Sequence, residues 1–215
     1  MSERPIQGLI IGLALIGAMF GMSSPAFGFA AESFLTIERA NISIDEGDNE
    51  LSAELIAEGP SIPLNGTEGA FGYGLRTEGG GDDDTILVAH SHAGLLDSED
   101  QRSIEDAGWH THLIRLGDVE QCEEDKGIVD ITWQSPGEVN IDDETATIRG
   151  VPTDEIEGWD SITGENISMA LGEGVNEAIS FKLEPAYGGG DDDNGLEAIC
   201  VTDIRSAEEE EVTRD

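Results

Sequence analysis

"ETATIRG" (residues 144–150) and "NEAISFKLEP" (residues 176–185) each alternate apolar with polar side chains, residue by residue. In the first, Ala146 and Ile148 alternate with Thr145, Thr147 and Arg149. In the second, Ile179, Phe181 and Leu183 alternate with Ser180, Lys182 and Glu184. Successive side chains of an extended chain point to opposite faces, so a period of two marks a strand with one buried face. The same reading extends outward to residues 34–44, 51–57, 71–76, 85–92, 109–116, 128–133, 138–141 and 196–204. Gly, Asp, Asn and Pro punctuate these runs every ten or so residues, and helical periodicity is scarce. The pattern predicts an all-β fold, a β-sandwich or open barrel.

One short helix is expected between residues 97 and 108, "DSEDQRSIEDAG". Ser98 stands at the N-cap position with Gln101 three residues on, as in a capping box, and Gly108 follows the last turn. Residues 31–205 are read as a single β-sandwich domain, and the acidic tail 206–215 as a frayed, solvated end.

The N-terminal residues 1–30 read as a secretory signal. Arg4 precedes an unbroken run of apolar residues and glycines over residues 9–22; "SSPA" then breaks it, and Gly28 and Ala30 offer a cleavage site. The run is shorter than the roughly 20 residues that span a bilayer, although an uncleaved anchor is the alternative. No second hydrophobic span follows, so the remainder is expected in an extracytoplasmic or secreted setting. Cys122 and Cys200 are the only cysteines, and a disulfide between them fits an oxidising compartment. Closing so long a loop is worth roughly 4–5 kcal/mol by chain entropy. Three glycosylation sequons, at Asn41, Asn65 and Asn166, agree with that setting.

Among the 215 residues, 47 Asp and Glu face 10 Lys and Arg, a formal net charge of -37. Such a surface repels nucleic acid and anionic lipid, and favours cations, basic partners or a high-salt medium. With eight arginines and only two lysines, the composition is that of a salt-adapted protein. "GGGDDD" occurs at residues 79–84 and 188–193. Carboxylates on glycine loops could hold Ca²⁺, but no spaced acidic ladder with a closing Glu is present, and solvated turns are the favoured reading.

All four histidines fall in two H-x-H pairs, "ILVAHSHAG" (residues 86–94) and "GWHTHLIRL" (residues 108–116). Residues i and i+2 of a strand share a face roughly 6.5–7 Å apart, and paired strands lie about 4.8 Å apart. If these two strands pair, His90, His92, His110 and His112 converge on one patch. His90 and His92 continue the row of Ile86 and Val88, and His110 and His112 that of Ile114 and Leu116. An inward patch would need a metal or hydrogen-bond partners, because unsatisfied polar burial is costly. Burial would also keep the imidazoles neutral and ready to ligate. A nitrogen-rich, thiolate-free site suits Cu or Zn. Asp97, Glu99 and Asp100 follow the first pair and could add an oxygen ligand or a contact to a ligand. Histidines that only pack and hydrogen-bond, or that act as acid–base groups without metal, are the other readings of the same pattern. No nucleophile elbow, phosphate loop, zinc-protease helix or basic aromatic patch is present, and no catalytic residue is assigned.

"HSHAGLLDSEDQ" (residues 90–101), "WHTHLIRLG" (residues 109–117), a cysteine and "ITWQSPGEV" (residues 131–139) resemble an uncharacterised family of secreted archaeal proteins with paired H-x-H strands, some from ammonia oxidisers. The resemblance covers most of the chain after residue 30 and implies an extracytoplasmic setting but no activity. Cupins also carry H-x-H followed by an acid, here Asp97, but the cupin glycine spacing and second motif are missing. The chordin-type likeness is confined to one histidine pair and implies no chemistry.

The sequence therefore predicts a secreted, acidic, disulfide-linked β domain that captures, stores or delivers a transition metal. The alternatives are a cell-envelope or adhesion module without metal and a metal-dependent extracytoplasmic enzyme.

Overall fold

The computed structural model describes residues 33–59, 61–67, 69–78, 85–172, 174–187 and 196–214. Residues 1–30, read above as a secretory signal, and both "GGGDDD" loops, with their Ca²⁺ reading, lie outside the described residues. No helix among the described residues is long and apolar enough to cross a membrane.

The chain is all-β. Its strands are β1 (Ile37–Asp45), β2 (Glu50–Ala57), β3 (Phe71–Glu78), β4 (Thr85–Ser91), β5 (His110–Asp118), β6 (Lys126–Ile131) and β7 (Glu138–Asp142). They continue with β8 (Thr145–Pro152), β9 (Ile156–Trp159), β10 (Asn166–Met169), β11 (Gly174–Tyr187), β12 (Leu196–Ser206) and β13 (Glu209–Arg214). Six strands close into an antiparallel barrel in the order β11-β12-β6-β5-β4-β3. A five-stranded sheet, β13-β1-β2-β8-β7, and a β9–β10 hairpin complete the fold.

Alternation determines what faces what. Ile86 and Val88 of β4, Ile114 of β5, Ile128 and Ile131 of β6, Ile179, Phe181 and Leu183 of β11, and Ile199 and Val201 of β12 form one buried cluster, the barrel interior. The opposite faces of the barrel strands carry Tyr73, Leu75, Leu87, Ala89, Leu113 and Ala178. These pack against Ile42, Leu51, Ala53, Leu55, Ala146 and Ile148 of the five-stranded sheet. Every residue of β4 is buried, because the barrel interior lies on one side and the sheet on the other. The Tyr73 hydroxyl donates to the Phe34 carbonyl at 2.5 Å, and the Trp109 indole donates to Pro63 at 2.9 Å.

The all-β expectation holds, with sheet packing of the sandwich type and the histidine strands in a closed barrel, while two finer expectations are corrected. No helix forms over residues 97–108, although one capping-box contact does: Gln101 Oε1 accepts from the Ser98 amide (3.3 Å), while Ser98 Oγ accepts from the Asp100 amide (3.1 Å) rather than from that of Gln101. The segment stays in turns because its side chains capture its own backbone. The Asp106 carboxylate accepts from the Arg102 and Gly108 amides, and Gln101 Nε2 donates to the carbonyls of Leu95 and Asp106. Ile104 is exposed, so no apolar stripe draws a helix onto the core. Finally, the acidic end does not fray. β13 is solvent-exposed along its length, yet it pairs in parallel with β1 from Arg39↔Glu209 to Ile44↔Arg214.

Cys122 and Cys200 form a disulfide with a Cα–Cα distance of 5.4 Å. It ties the turn after β5 to β12 across a sequence separation of 78 residues. Of the sequon residues, Asn65 and Asn166 are exposed, while Asn41 is half-buried on β1 and donates to Glu54.

Candidate metal centre

β4 and β5 pair with His90 opposite His110 and Val88 opposite His112. Directly opposed residues share a face, so the histidines continue the inward rows of Ile86, Val88 and Ile114 into the end of the barrel. Space for them comes from β3, whose inward positions Gly72 and Gly74 carry no side chain. Gly72 sits opposite His90, where a Cβ would fall 2.6 Å from the Ala89 carbonyl oxygen and 2.7 Å from His90 Cβ. The imidazole rings then pack edge to face, with centroids 4.5 Å apart for His90–His110 and 4.9 Å for His90–His92.

Asp97 enters from the loop after β4. Its amide donates to Gln101 Oε1 at 2.9 Å, and its carbonyl accepts from Ser161 Oγ at 2.5 Å. Neighbouring Ser98 bonds Ser135, and the Glu99 amide donates to the Trp133 carbonyl, so residues 97–101 are pinned to the chain that follows β6. Asp160 secures that chain in turn, its carboxylate accepting from the amides of Ile131, Ile162 and Thr163.

The pinned carboxylate faces the imidazoles. Asp97 Oδ2 lies 3.1 Å from His92 Nε2, and Oδ1 lies 3.4 Å from His110 Nε2 and 3.9 Å from His112 Nε2. One ligand atom from each of His90, His92, Asp97 and His110 lies within 4.8 Å of every other, and all four residues are buried. Four ligands at 2.0–2.1 Å in a tetrahedron stand about 3.4 Å apart. The Asp97 contacts of 3.1 and 3.4 Å, made by different carboxylate oxygens, lie near that spacing, and no pair of ligand atoms exceeds it by more than about 1.4 Å. This buried cluster could hold a metal ion.

Tautomers follow from the partners. His110 Nδ1 lies 2.9 Å from the Gly108 carbonyl, and His112 Nδ1 lies 2.5 Å from the Thr132 carbonyl. A carbonyl only accepts, so both Nδ1 atoms carry protons, and in the neutral imidazole Nε2 then presents a lone pair. Backbone carbonyls orient metal-binding imidazoles in this way. The His110 lone pair thus faces Asp97 Oδ1, acceptor to acceptor. Among the described residues, His110 Nε2, His112 Nε2, Asp97 Oδ1 and both nitrogens of His90 are buried without a hydrogen-bond partner.

Electrostatics point the same way. Burial lowers the His90 pKa well below the ordinary imidazole value, and the neighbouring His110 and His112 lower it further. Burial likewise holds His112 down to about 4, against the pull of Asp97. Burial would raise the Asp97 carboxyl, but the imidazoles of His110 and His92 that face it outweigh that cost and hold the group well below the usual carboxylate range. The cluster places a carboxylate beside His90 and His112, two imidazoles that burial makes hard to protonate.

Of the residues singled out in the sequence, His90, His92, His110 and Asp97 come together. His112 borders this group with its Nε2 directed at Asp97, and Glu99 and Asp100 are exposed outside it. The supporting roles of Gln101, Ser161, Gly72 and the Gly108 and Thr132 carbonyls were not read from sequence. Gln101 and Gly108 left a trace there, but only as capping residues of the expected helix.

No protein-family model matches the chain, and no curated protein or solved structure matches it. The fold and the cluster define its class from within: a closed β-barrel, backed by a second sheet, with a buried imidazole–carboxylate cluster at one end.

Proposed function

We propose that this is a secreted or cell-surface protein that binds one Cu²⁺ or Zn²⁺ ion through His90, His92, His110 and Asp97, for metal capture, storage or delivery. The observation that carries the reading is the convergence of buried acceptor atoms that have no donor. One divalent ion would satisfy several of them at once, whereas burial opposes protonation of His90 at the centre of the group. Three imidazoles and a carboxylate suit Zn²⁺ or Cu²⁺, and the absence of thiolate or thioether in the set disfavours Cu⁺. With both cysteines in the disulfide, neither is a ligand. The disulfide and the signal-like residues 1–30 support the extracytoplasmic location.

Elemental analysis of the purified protein, followed by competition against a chelator, tests the reading. About one equivalent of metal is expected, and His90→Ala with His110→Ala should abolish it. Absence of metal binding together with melting unchanged by chelator would instead support a structural or adhesion role.

A second reading, a metal-dependent extracytoplasmic enzyme, rests on one observation. A cavity of about 160 Å³ opens onto His90, His92 and Asp97, so a bound ion would have a face accessible to a small molecule.

A further inference from the structure

The cavity beside the cluster has a divided lining. One corner is polar: His90, His92 and Asp97. The walls are Ile128, Ile131, Leu183, Pro185 and Ile199, with Leu196 and Tyr187 toward the outside. Tyr187 is 62% exposed and Leu196 38%, so the cavity reaches the surface through an apolar rim. Its volume, about 160 Å³, is close to that of an apolar cavity of roughly 150 Å³ known to admit benzene.

Charge narrows the occupant. A divalent ion and the Asp97 carboxylate sum to one positive charge, and neutral imidazoles add none. In a largely apolar enclosure, one further negative charge at the metal is stabilising and a second is not. The aliphatic walls offer nothing to a second polar end.

We infer that the barrel cavity binds a small organic monoanion whose charged end meets the metal and whose apolar body, of about benzene's size, fills the space between β6, β11 and β12. The inference rests on the metal reading proposed above and adds the class of ligand. Without metal, Asp97 repels the anion, so binding requires the loaded protein. The net charge of -37 opposes approach of an anion, and salt screens that repulsion, so affinity should rise with ionic strength.

Co²⁺-loaded protein provides the test, because its visible absorption bands report a change of ligand. Metal affinity is first measured by chelator competition on the same sample. The loaded protein is then titrated with benzoate, formate and benzamide. Benzoate is expected to shift the bands and to bind at least tenfold more tightly than formate, which lacks the apolar body, and than benzamide, which lacks the charge. Ile199→Phe and Ala70→Leu, the latter at another residue lining the cavity, should each weaken benzoate at least tenfold while leaving formate and Co²⁺ affinity within about twofold. Two cavity-filling variants are used so that a failure of one to fold leaves the other decisive. If Co²⁺ binds but benzoate does no better than formate or benzamide, the inference is overturned and the metal reading stands. If Co²⁺ does not bind, both fall.

Discussion

The two ends of β4 and β5 are built on one backbone pattern and behave differently. At one end Ile86 and Ile114 are opposed across the ladder and pack among Ile128, Ile131 and Ile179. At the other, His90 and His110 are opposed in the same way, equally buried, but leave nitrogens without partners. Burying an aliphatic side chain contributes about 1.5–3 kcal/mol, and an unsatisfied buried polar group costs about 1–3 kcal/mol. The apolar end therefore holds the barrel closed, and the histidine end draws on that stability. The difference teaches that the cluster is maintained for something other than folding.

The largest effect that could break this contrast is metal binding itself. A ligand specific to the folded state at 1,000 times its Kd stabilises by about 4 kcal/mol, which for a domain of this size raises Tm by roughly 8–16 °C. Zn²⁺ or Cu²⁺ should produce such a rise in differential scanning calorimetry, and a chelator should reverse it. In the His90→Ala, His110→Ala double variant the rise should vanish. A rise that survives both substitutions would place the metal elsewhere and remove the contrast.

Between pH 4.5 and 7.5 acid should act on the histidine end through the buried imidazoles of His90 and His112. In the unfolded chain His112 has an ordinary imidazole pKa of 6.5, whereas burial lowers it to about 4 in the fold. Between these values the unfolded chain binds a proton that the folded chain does not, so stability rises with pH. It is fully present above about 6.5 and is lost as pH falls toward 4, by about 3 kcal/mol from His112, with His90 acting in the same direction. The Asp97 carboxyl contributes only below this window, because its ordinary value is 3.8 and the fold lowers it further. Urea unfolding of the metal-free protein between pH 4.5 and 7.5 measures the slope, and His112→Gln should flatten it.

How much of this was legible in sequence follows from the range of the interactions. Alternation at residues 144–150 and 176–185, and the inward rows that end in histidine, are local and were readable. Closure of the barrel was not, because β3 pairs with β11 across about a hundred residues and no local pattern encodes that partnership. The shared face of the two histidine pairs required only the assumption that β4 and β5 are neighbours, which holds. Selection of Asp97 over Glu99 and Asp100 depends on Gln101 and on Ser161, which is 64 residues distant in sequence. The absent helix is the converse case: one of its capping contacts formed, but without an apolar stripe it closed a turn.

A smaller effect, and one of opposite sign to most substitutions, is expected at His90. Neither of its ring nitrogens has a partner among the described residues. Replacing a buried unsatisfied group by an apolar one of similar volume removes a cost of about 1–3 kcal/mol. His90→Leu should therefore stabilise the metal-free protein by about 1–2 kcal/mol in urea unfolding while weakening metal binding at least tenfold. A loss of stability would mean that the imidazole contributes packing that leucine cannot replace.

The smallest effect belongs to the apolar end. Ile114 is 2% exposed and is the next inward residue on β5 after His112. Ile114→Val removes one methyl group from the barrel interior and should cost about 1 kcal/mol. Because that cost arises from packing alone, it should be the same at pH 5 and pH 7 and the same with and without metal. A cost that changed with metal would show the two ends of the strand to be coupled, and the cluster would then be able to regulate the barrel rather than only draw on its stability.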